Sequence, residues 1–370
     1  MSTTQKIGKL TIRGFESIRN LDSFCLNDIN VFIGANGAGK SNFVSYFRML
    51  GEMVEQRLQL WVSKQGGSDR ILTYGIKETS QLFSYIEFGI NGYEFELEPT
   101  VAGGFAFSKE RLFFDGPYFG PDWTSLGSGH QEAKLKDFYE TEKPGRVADY
   151  CYSSISGWKV FHFHDTSDTA GLKRLGALHD SAYLRPDASN LAAFLYKLRH
   201  NSMDTYTHIR KVVQLAIPFF DDFVLRPEQL PTGESQIRLM WRQKNSDYAL
   251  WPSQLSDGSI RFICLTTALL QPDPPSTIIF DEPELGLHPY AITLLGSLMR
   301  SASKDIQLIV STQSVPLLNE FSIGDLVIVE REEDVSVFKR CDEADLQIWL
   351  EDYSVGELWE KNVLGGRPGG

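Results

Sequence analysis

No run in the sequence approaches the roughly 18 uninterrupted apolar residues of a membrane span. The first residues, Met1-Ser2-Thr3-Thr4-Gln5-Lys6, lack the apolar centre of a secretion signal. Membrane insertion and secretion are therefore not expected, and a cytoplasmic location without membrane partners is. Cysteine is scarce: Cys25, Cys151, Cys264 and Cys341 are scattered along 370 residues with no Cys-x-x-Cys and no metal-type spacing. Neither a disulfide framework nor a zinc site is indicated, and reduced thiols are expected. Positive charge is also in short supply. Lys and Arg number 36 against 48 Asp and Glu, a net charge of −12, so the whole molecule is not a polycation that coats nucleic acid. Any DNA contact requires a local basic patch. Internal repeats are absent, and the one biased stretch, Asp115 to His130, reads as an irregular Gly/Pro loop. Apolar residues, by contrast, are plentiful. At 42% hydrophobic, with 24 Phe, 14 Tyr and 7 Trp, the chain can bury a sizeable core, which excludes intrinsic disorder. At about 150 residues per domain, its length suits two to three units, or one large α/β unit with an insertion.

Along the chain, Lys9–Arg13, Phe24–Leu26 and Asn30–Ile33 are β-like runs. The third ends in Gly34-Ala35-Asn36-Gly37-Ala38-Gly39-Lys40-Ser41. Beyond it, Phe43, Tyr46, Phe47, Leu50, Met53, Val54 and Leu60 share one helical face, which predicts a helix of about twenty residues. Phe83–Phe88, Tyr93–Leu97 and Arg111–Phe114 suggest antiparallel hairpins turning at Asn91-Gly92 and Gly103-Gly104. Residues 116–245 read as a mostly helical insertion, with helices at Asn190–His200 and Tyr206–Ala216 and strands at Trp158–Phe163 and Ile237–Trp241. The last third alternates again: a helix from Gly258 to Leu270, a strand Thr277–Phe280, a helix Tyr290–Met299, then strands Ile306–Val310, Leu326–Val329 and Val335–Phe338. Such alternation implies a mostly parallel sheet with covered faces. The expected layout is two halves of one nucleotide-binding unit, 1–115 and 246–370, split by the insertion at 116–245.

Gly34 to Ser41 fits G-x-x-x-x-G-K-[ST] in its proper setting, after an apolar strand and at the start of a helix. The glycines let backbone N–H groups of Asn36, Gly37, Ala38 and Gly39 turn inward on phosphate at a helix N-terminus. Lys40 suits the β- and γ-phosphates of ATP, the Ser41 hydroxyl suits Mg²⁺, and Asn42 continues the loop. The bland reading is a Gly-rich turn. Thr277-Ile278-Ile279-Phe280 delivers Asp281 and Glu282 to the carboxyl end of a strand, where ligands bind in open α/β sheets. Asp281 suits Mg²⁺, and Glu282 suits the attacking water. The alternative there is an acid cluster opening a helix.

Leu255-Ser256-Asp257-Gly258-Ser259 resembles the signature motif of ABC-type ATPases. Asp281-Glu282-Pro283-Glu284-Leu285-Gly286-Leu287-His288-Pro289 resembles the Walker B and D-loop of the RecF/SMC/OLD class. Lys9 to Ser17 and the Asn36–Asn42 loop are similar to the same class. The insertion is similar only loosely, through Leu184-Arg185-Pro186-Asp187 and Asn190-Leu191, to single-chain ATPases of that group. The resemblance implies a P-loop NTPase fold: an ABC-ATPase head with a mixed, mostly parallel sheet, an antiparallel β lobe and a helical insertion. It also implies ATP sandwiched between two heads, with the P-loop of one facing Ser256 and Gly258 of the other. A plain helix cap is the alternative for the pentapeptide. Two positions depart from the pattern. Asp257 and Ser259 stand where transporter-type cassettes have Gly and Gln, and Gln313 stands where many relatives place a switch histidine. Gln313 can donate to a γ-phosphate but carries no charge, so slow turnover is expected.

Weaker candidates have ordinary alternatives. Gln65 could sense Mg²⁺ from a lid loop but also suits a surface loop. Arg13 and Phe15 could flank adenine or serve as strand-end residues. His162-x-His164-Asp165 reads as structural residues rather than a metal site, and His288-Pro289 as part of the D-loop. Lys173, Arg174, Arg199, Arg210 and Lys211 read as solvated helix surface or a basic face. The expected function is an ATPase head, homodimeric or larger, that switches a DNA-related process such as bacterial anti-phage defence or DNA repair. No nuclease-type acid cluster follows the motifs, so a separately encoded effector such as a nuclease is the expected partner, with DNA a candidate ligand. A regulatory scaffold that barely hydrolyses ATP is the competing class, and a transporter cassette the third.

Overall fold

The three apolar runs at the N-terminus form β1 (Lys9–Phe15), β2 (Ile18–Cys25) and β3 (Ile29–Ile33). The computed structural model describes residues 5–118, 120–141 and 146–365; Met1 to Thr4, part of the N-terminal expectation, lie outside them. Next come α1 (Lys40–Val54), α2 (Leu58–Gln65), α3 (Ser68–Ile71), β4 (Leu82–Phe88), β5 (Asn91–Pro99), β6 (Phe105–Gly116) and β7 (Gly120–Gly127). The middle holds α4 (Leu135–Thr141), α5 (Val147–Ser156), β8 (Lys159–Phe161), β9 (Gly176–Ala177), α6 (Leu191–Asn201), α7 (Met203–Ala216), β10 (Phe220–Val224), β11 (Glu228–Gln229), β12 (Ser235–Ile237), β13 (Met240–Gln243) and β14 (Ala249–Leu250). The last third runs α8 (Asp257–Leu270), β15 (Thr277–Asp281), α9 (Pro289–Ala302), β16 (Gln307–Ser311), α10 (Val315–Leu318), β17 (Leu326–Glu332), β18 (Val335–Arg340), α11 (Glu343–Leu350) and α12 (Val355–Glu360).

The central sheet has the order β18-β17-β3-β16-β15-β8. It is parallel from β17 to β8, and only β18 is antiparallel. A second sheet, β2-β1-β4-β5-β6-β7, is antiparallel throughout. The mixed, mostly parallel sheet and the antiparallel lobe are thus both present. Strand alternation divides the core in two. Phe32, Ile279, Ile309 and Val327 face α1, α5 and the second sheet, whereas Val31, Phe280, Leu308 and Ile328 face α6, α7, α8 and α9. Successive strand residues point to opposite faces, so apolar runs such as Thr277–Phe280 are buried on both sides.

Four sequence expectations change. The single helix after Ser41 is two, because Gln56 adopts φ +57° and its amide reaches Ala133 O (3.1 Å) and Asp137 Oδ1 (2.9 Å). The Glu132 carboxylate then accepts from the Leu58 and Gln59 N–H groups and starts α2 afresh. The Gly/Pro stretch contributes β7, at the edge of the second sheet where Pro121 is tolerated. The β4–β5 turn falls at Gly89-Ile90, leaving Asn91-Gly92 inside the ladder. Ile237–Trp241 is divided between β12 and β13, which belong to different sheets. Within 116–245, β8 completes the central sheet and the short β9 to β13 add strand to the helices; strands of two to five residues leave little period-2 signal.

Candidate functional site

The carboxyl edge of the central sheet carries, side by side, the loop after β3, Gln313 after β16, Asp281 and Glu282 at β15, and His162 to Asp165 after β8. Parallel neighbours release their loops on one side, so four distant segments meet there. The loop after β3 has Gly37 at φ +79° and Gly39 at φ +111°, backbone that favours glycine. Gly34 lies so close to Val329 that a Cβ would collide with its carbonyl oxygen. Ser336 fastens the turn, donating to Ala38 O at 2.6 Å and meeting Ser17 Oγ at 2.6 Å. Ser17 in turn accepts from Asn42 Nδ2 at 2.7 Å. Lys40 is buried, and its ammonium donates to the carbonyls of Gly34 (2.7 Å) and Ala35 (3.0 Å). Burial pulls its pKa down, against the raising influence of Glu282, Asp281 and Glu284. Ser41 is exposed at the first turn of α1.

Gln313 joins the loop to the acids. Its amide nitrogen donates to Asn36 Oδ1 and to Glu282 Oε1, the latter at 3.3 Å. Glu282 has φ +45°, unusual for a residue with a Cβ, and its N–H donates to Ser311 O at 2.8 Å. Glu284, absent from the sequence reading as a site residue, accepts from Thr312 Oγ1 (2.5 Å) and Gln313 N–H (3.3 Å). Burial raises its pKa despite those bonds. Asp281 Oδ1 and Glu284 Oε2 are buried without hydrogen-bond partners. Unpartnered carboxylate oxygens fit a hard cation. Among the described residues no group of three or more His, Cys, Asp or Glu could hold a metal ion.

Ser256 and Gly258 are not brought to the P-loop by hydrogen bonds among the described residues. The Ser256 hydroxyl caps α8, accepting from Ser259 N–H at 3.1 Å. Gly258 abuts the Gly286 carbonyl, so closely that a Cβ would clash. Arg261, on the same helix, donates to Phe163 O (2.9 Å), His164 O (3.3 Å) and Leu285 O. It therefore ties the signature-like helix to the loops after β8 and β15, a link with no local sequence signal.

The weaker candidates separate. Gln65 is exposed at the end of α2. Arg13 pairs with Asp22 at 2.7 Å and lies over Phe83, and Phe15 is fully buried against Tyr46. A hollow of about 480 Å³ instead borders the P-loop, lined by Glu16, Ser17, Asn42, Arg70, Tyr74 and Arg331 among others. His164 lines a small hollow with Arg261, Asp281 and Glu282, while burial lowers the His162 pKa. His288 caps α9. Arg210 pairs with Asp222 and Lys173 with Asp168 and Asp257, so neither contributes to an unopposed basic face.

Against this geometry, the sequence model of the family described as "AAA domain, putative AbiEii toxin, Type IV TA system" matches residues 29–319. No curated protein matches the chain. Among solved structures, the SmcHead bound to the C-winged helix domain of ScpA is 14% identical with a TM-score of 0.60, covering 92% of this chain and 99% of that one. The Smc head of Pyrococcus furiosus, with an extended coiled coil and bound to the C-terminal domain of ScpA, is 13% identical with a TM-score of 0.54, covering 94% and 99%. At such identities the likeness concerns the fold. The chain belongs to this AAA-domain family, and its fold is the P-loop NTPase fold that it shares with the SMC head domains.

Proposed function

We propose that the chain binds and slowly hydrolyses ATP, closes around it as a homodimer or higher homo-oligomer, and thereby switches a separately encoded effector. The observation that carries this is the hydrogen-bonded line from Asn36 through Gln313 to Glu282, which puts the phosphate loop, the switch position and the acid in one place. Backbone N–H groups from Asn36 to Ser41 would bind the phosphates, and Lys40 would exchange the Gly34 and Ala35 carbonyls for phosphate oxygens. Ser41 and Asp281 would hold Mg²⁺, which supplies charge neutralisation at the phosphates. The hollow beside Asn42 would take the nucleoside end. Glu282 would orient the attacking water and accept its proton. Gln313 donates to that same carboxylate and brings no positive charge of its own. ATP then acts more as a dimerising switch than as fuel. Residues 1–115 and 246–370 would be the head halves, with 116–245 inserted and β8 and α5 packed into the head.

The family description refers to a toxin of a toxin–antitoxin system, which supports bacterial defence as the setting, with DNA repair the related task and a nuclease the expected effector class. A second reading, a scaffold with almost no hydrolysis, is favoured by the Gln313–Glu282 bond. Steady-state assays test the proposal. Wild type should turn over about one ATP per second or less, the low end of the usual range, and Lys40→Ala should lose nucleotide binding in calorimetry. Several turnovers per second overturn the switch reading, and unchanged binding by Lys40→Ala overturns the site.

A further inference from the structure

Asp257 puts a carboxylate in the first turn of α8, where an acid favours the helix but opposes an incoming phosphate. The structure sets a cation against it from a distant segment. Lys173 closes the 3₁₀ turn Gly171–Lys173, and its Nζ lies 3.7 Å from Asp257 Oδ1 and 3.8 Å from Asp168 Oδ1. The Lys173 side chain is 8% exposed, whereas those of Asp257 and Asp168 are 65% and 90% exposed. The lysine is therefore packed into the protein with its head directed at two solvent-facing acids. Arg261 also acts on Asp257 from within α8, and Arg174 and Lys173 act on the nearby Asp165. Three acids (Asp165, Asp168, Asp257) thus face three cations (Lys173, Arg174, Arg261), and loss of Lys173 leaves the N-terminal end of α8 net negative.

We infer that Lys173 is a positioning residue for the signature-like segment: it neutralises and holds Asp257 so that the N-terminal end of α8 accepts the terminal phosphate of ATP bound to a second copy. This rests on the two-copy reading of the proposed function. In that arrangement the lysine acts through Asp257, not on the nucleotide bound by its own chain. Nucleotide affinity of the monomer should therefore be indifferent to it, and only ATP-dependent association should respond.

The test uses the full chain in a Glu282→Gln background with Mg²⁺-ATP, reading monomer affinity by fluorescent ATP analogue and association by light scattering across protein concentrations. Lys173→Met keeps the packed stem and should weaken association about tenfold, with analogue affinity unchanged. Lys173→Arg should retain it. Adding Asp257→Asn to Lys173→Met should restore association, the coupling expected of a pair acting as a unit. Unchanged association in Lys173→Met, or loss that Asp257→Asn does not repair, overturns the inference while leaving the two-copy reading intact. Failure of the Glu282→Gln parent itself to associate overturns that reading and the inference with it.

Discussion

Glu16 sits where the second sheet meets the P-loop, in left-handed backbone at φ +47°. Its carboxyl lines the hollow beside Asn42 and accepts from Ser45 Oγ at 3.1 Å. Burial pushes its pKa from 4.5 up to about 7, against the lowering by Ser45. The folded state binds this proton more tightly than the unfolded state. The folded carboxyl is therefore harmless below about pH 4.5, and its ionisation erodes stability as pH rises through about 7. Glu16→Gln keeps an acceptor for Ser45 without that penalty. Urea unfolding should show the variant more stable than wild type by about 1–3 kcal/mol at pH 8, with the gap closing by pH 5; a gap that is flat with pH contradicts this origin. Single residues also show what was legible. Lys40, Ser41, Asp281 and Glu282 stand in contiguous motifs whose spacing is their signal. Glu284 was visible only as part of a D-loop resemblance, because its partner Thr312 is 28 positions away.

At the scale of elements, α8 is the hub. Its N-terminus carries the signature-like residues, its buried side packs into the larger core, and Arg261 joins it to the loops that follow β8 and β15. That arginine spans 98 residues to Phe163 and 24 to Leu285, separations at which no periodicity or motif can report a bond. Arg261→Met should destabilise the fold by about 2–4 kcal/mol, since three carbonyls lose a donor in a largely buried setting. Chemical denaturation measures this, and a loss under about 0.5 kcal/mol would class the contacts as surface-like. Elements with strong periodicity were readable: α6, α7, α8 and α9 fall close to their sequence-based bounds. The break between α1 and α2 was not, because Glu132 and Ala133, which fix it, lie more than 70 positions on. The same holds for β7, where pairing with β6 overrides a Gly/Pro composition that locally favours loop.

For the molecule as a whole, two packed cores cover opposite faces of one mostly parallel sheet, and the carboxyl edge of that sheet gathers the P-loop, Gln313 and the acids. The fold class was legible because βα alternation and the P-loop dictate it. The pairing of β8 beside β15 was not, since only the folded sheet brings residues 159–161 to residues 278–280. The net charge of −12 and the pairing of Lys173 and Arg210 with acids oppose broad coating of nucleic acid by the molecule as a whole. The central claim is that ATP closes two copies around the P-loop and the signature-like helix end. Its most direct measurement is the mass of Glu282→Gln by size exclusion with multi-angle light scattering, in saturating Mg²⁺-ATP and without nucleotide. Twice the 41.8 kDa chain mass, or a higher even multiple, with ATP and a return to monomer without it is the predicted result. A protein that stays monomeric with ATP bound contradicts it.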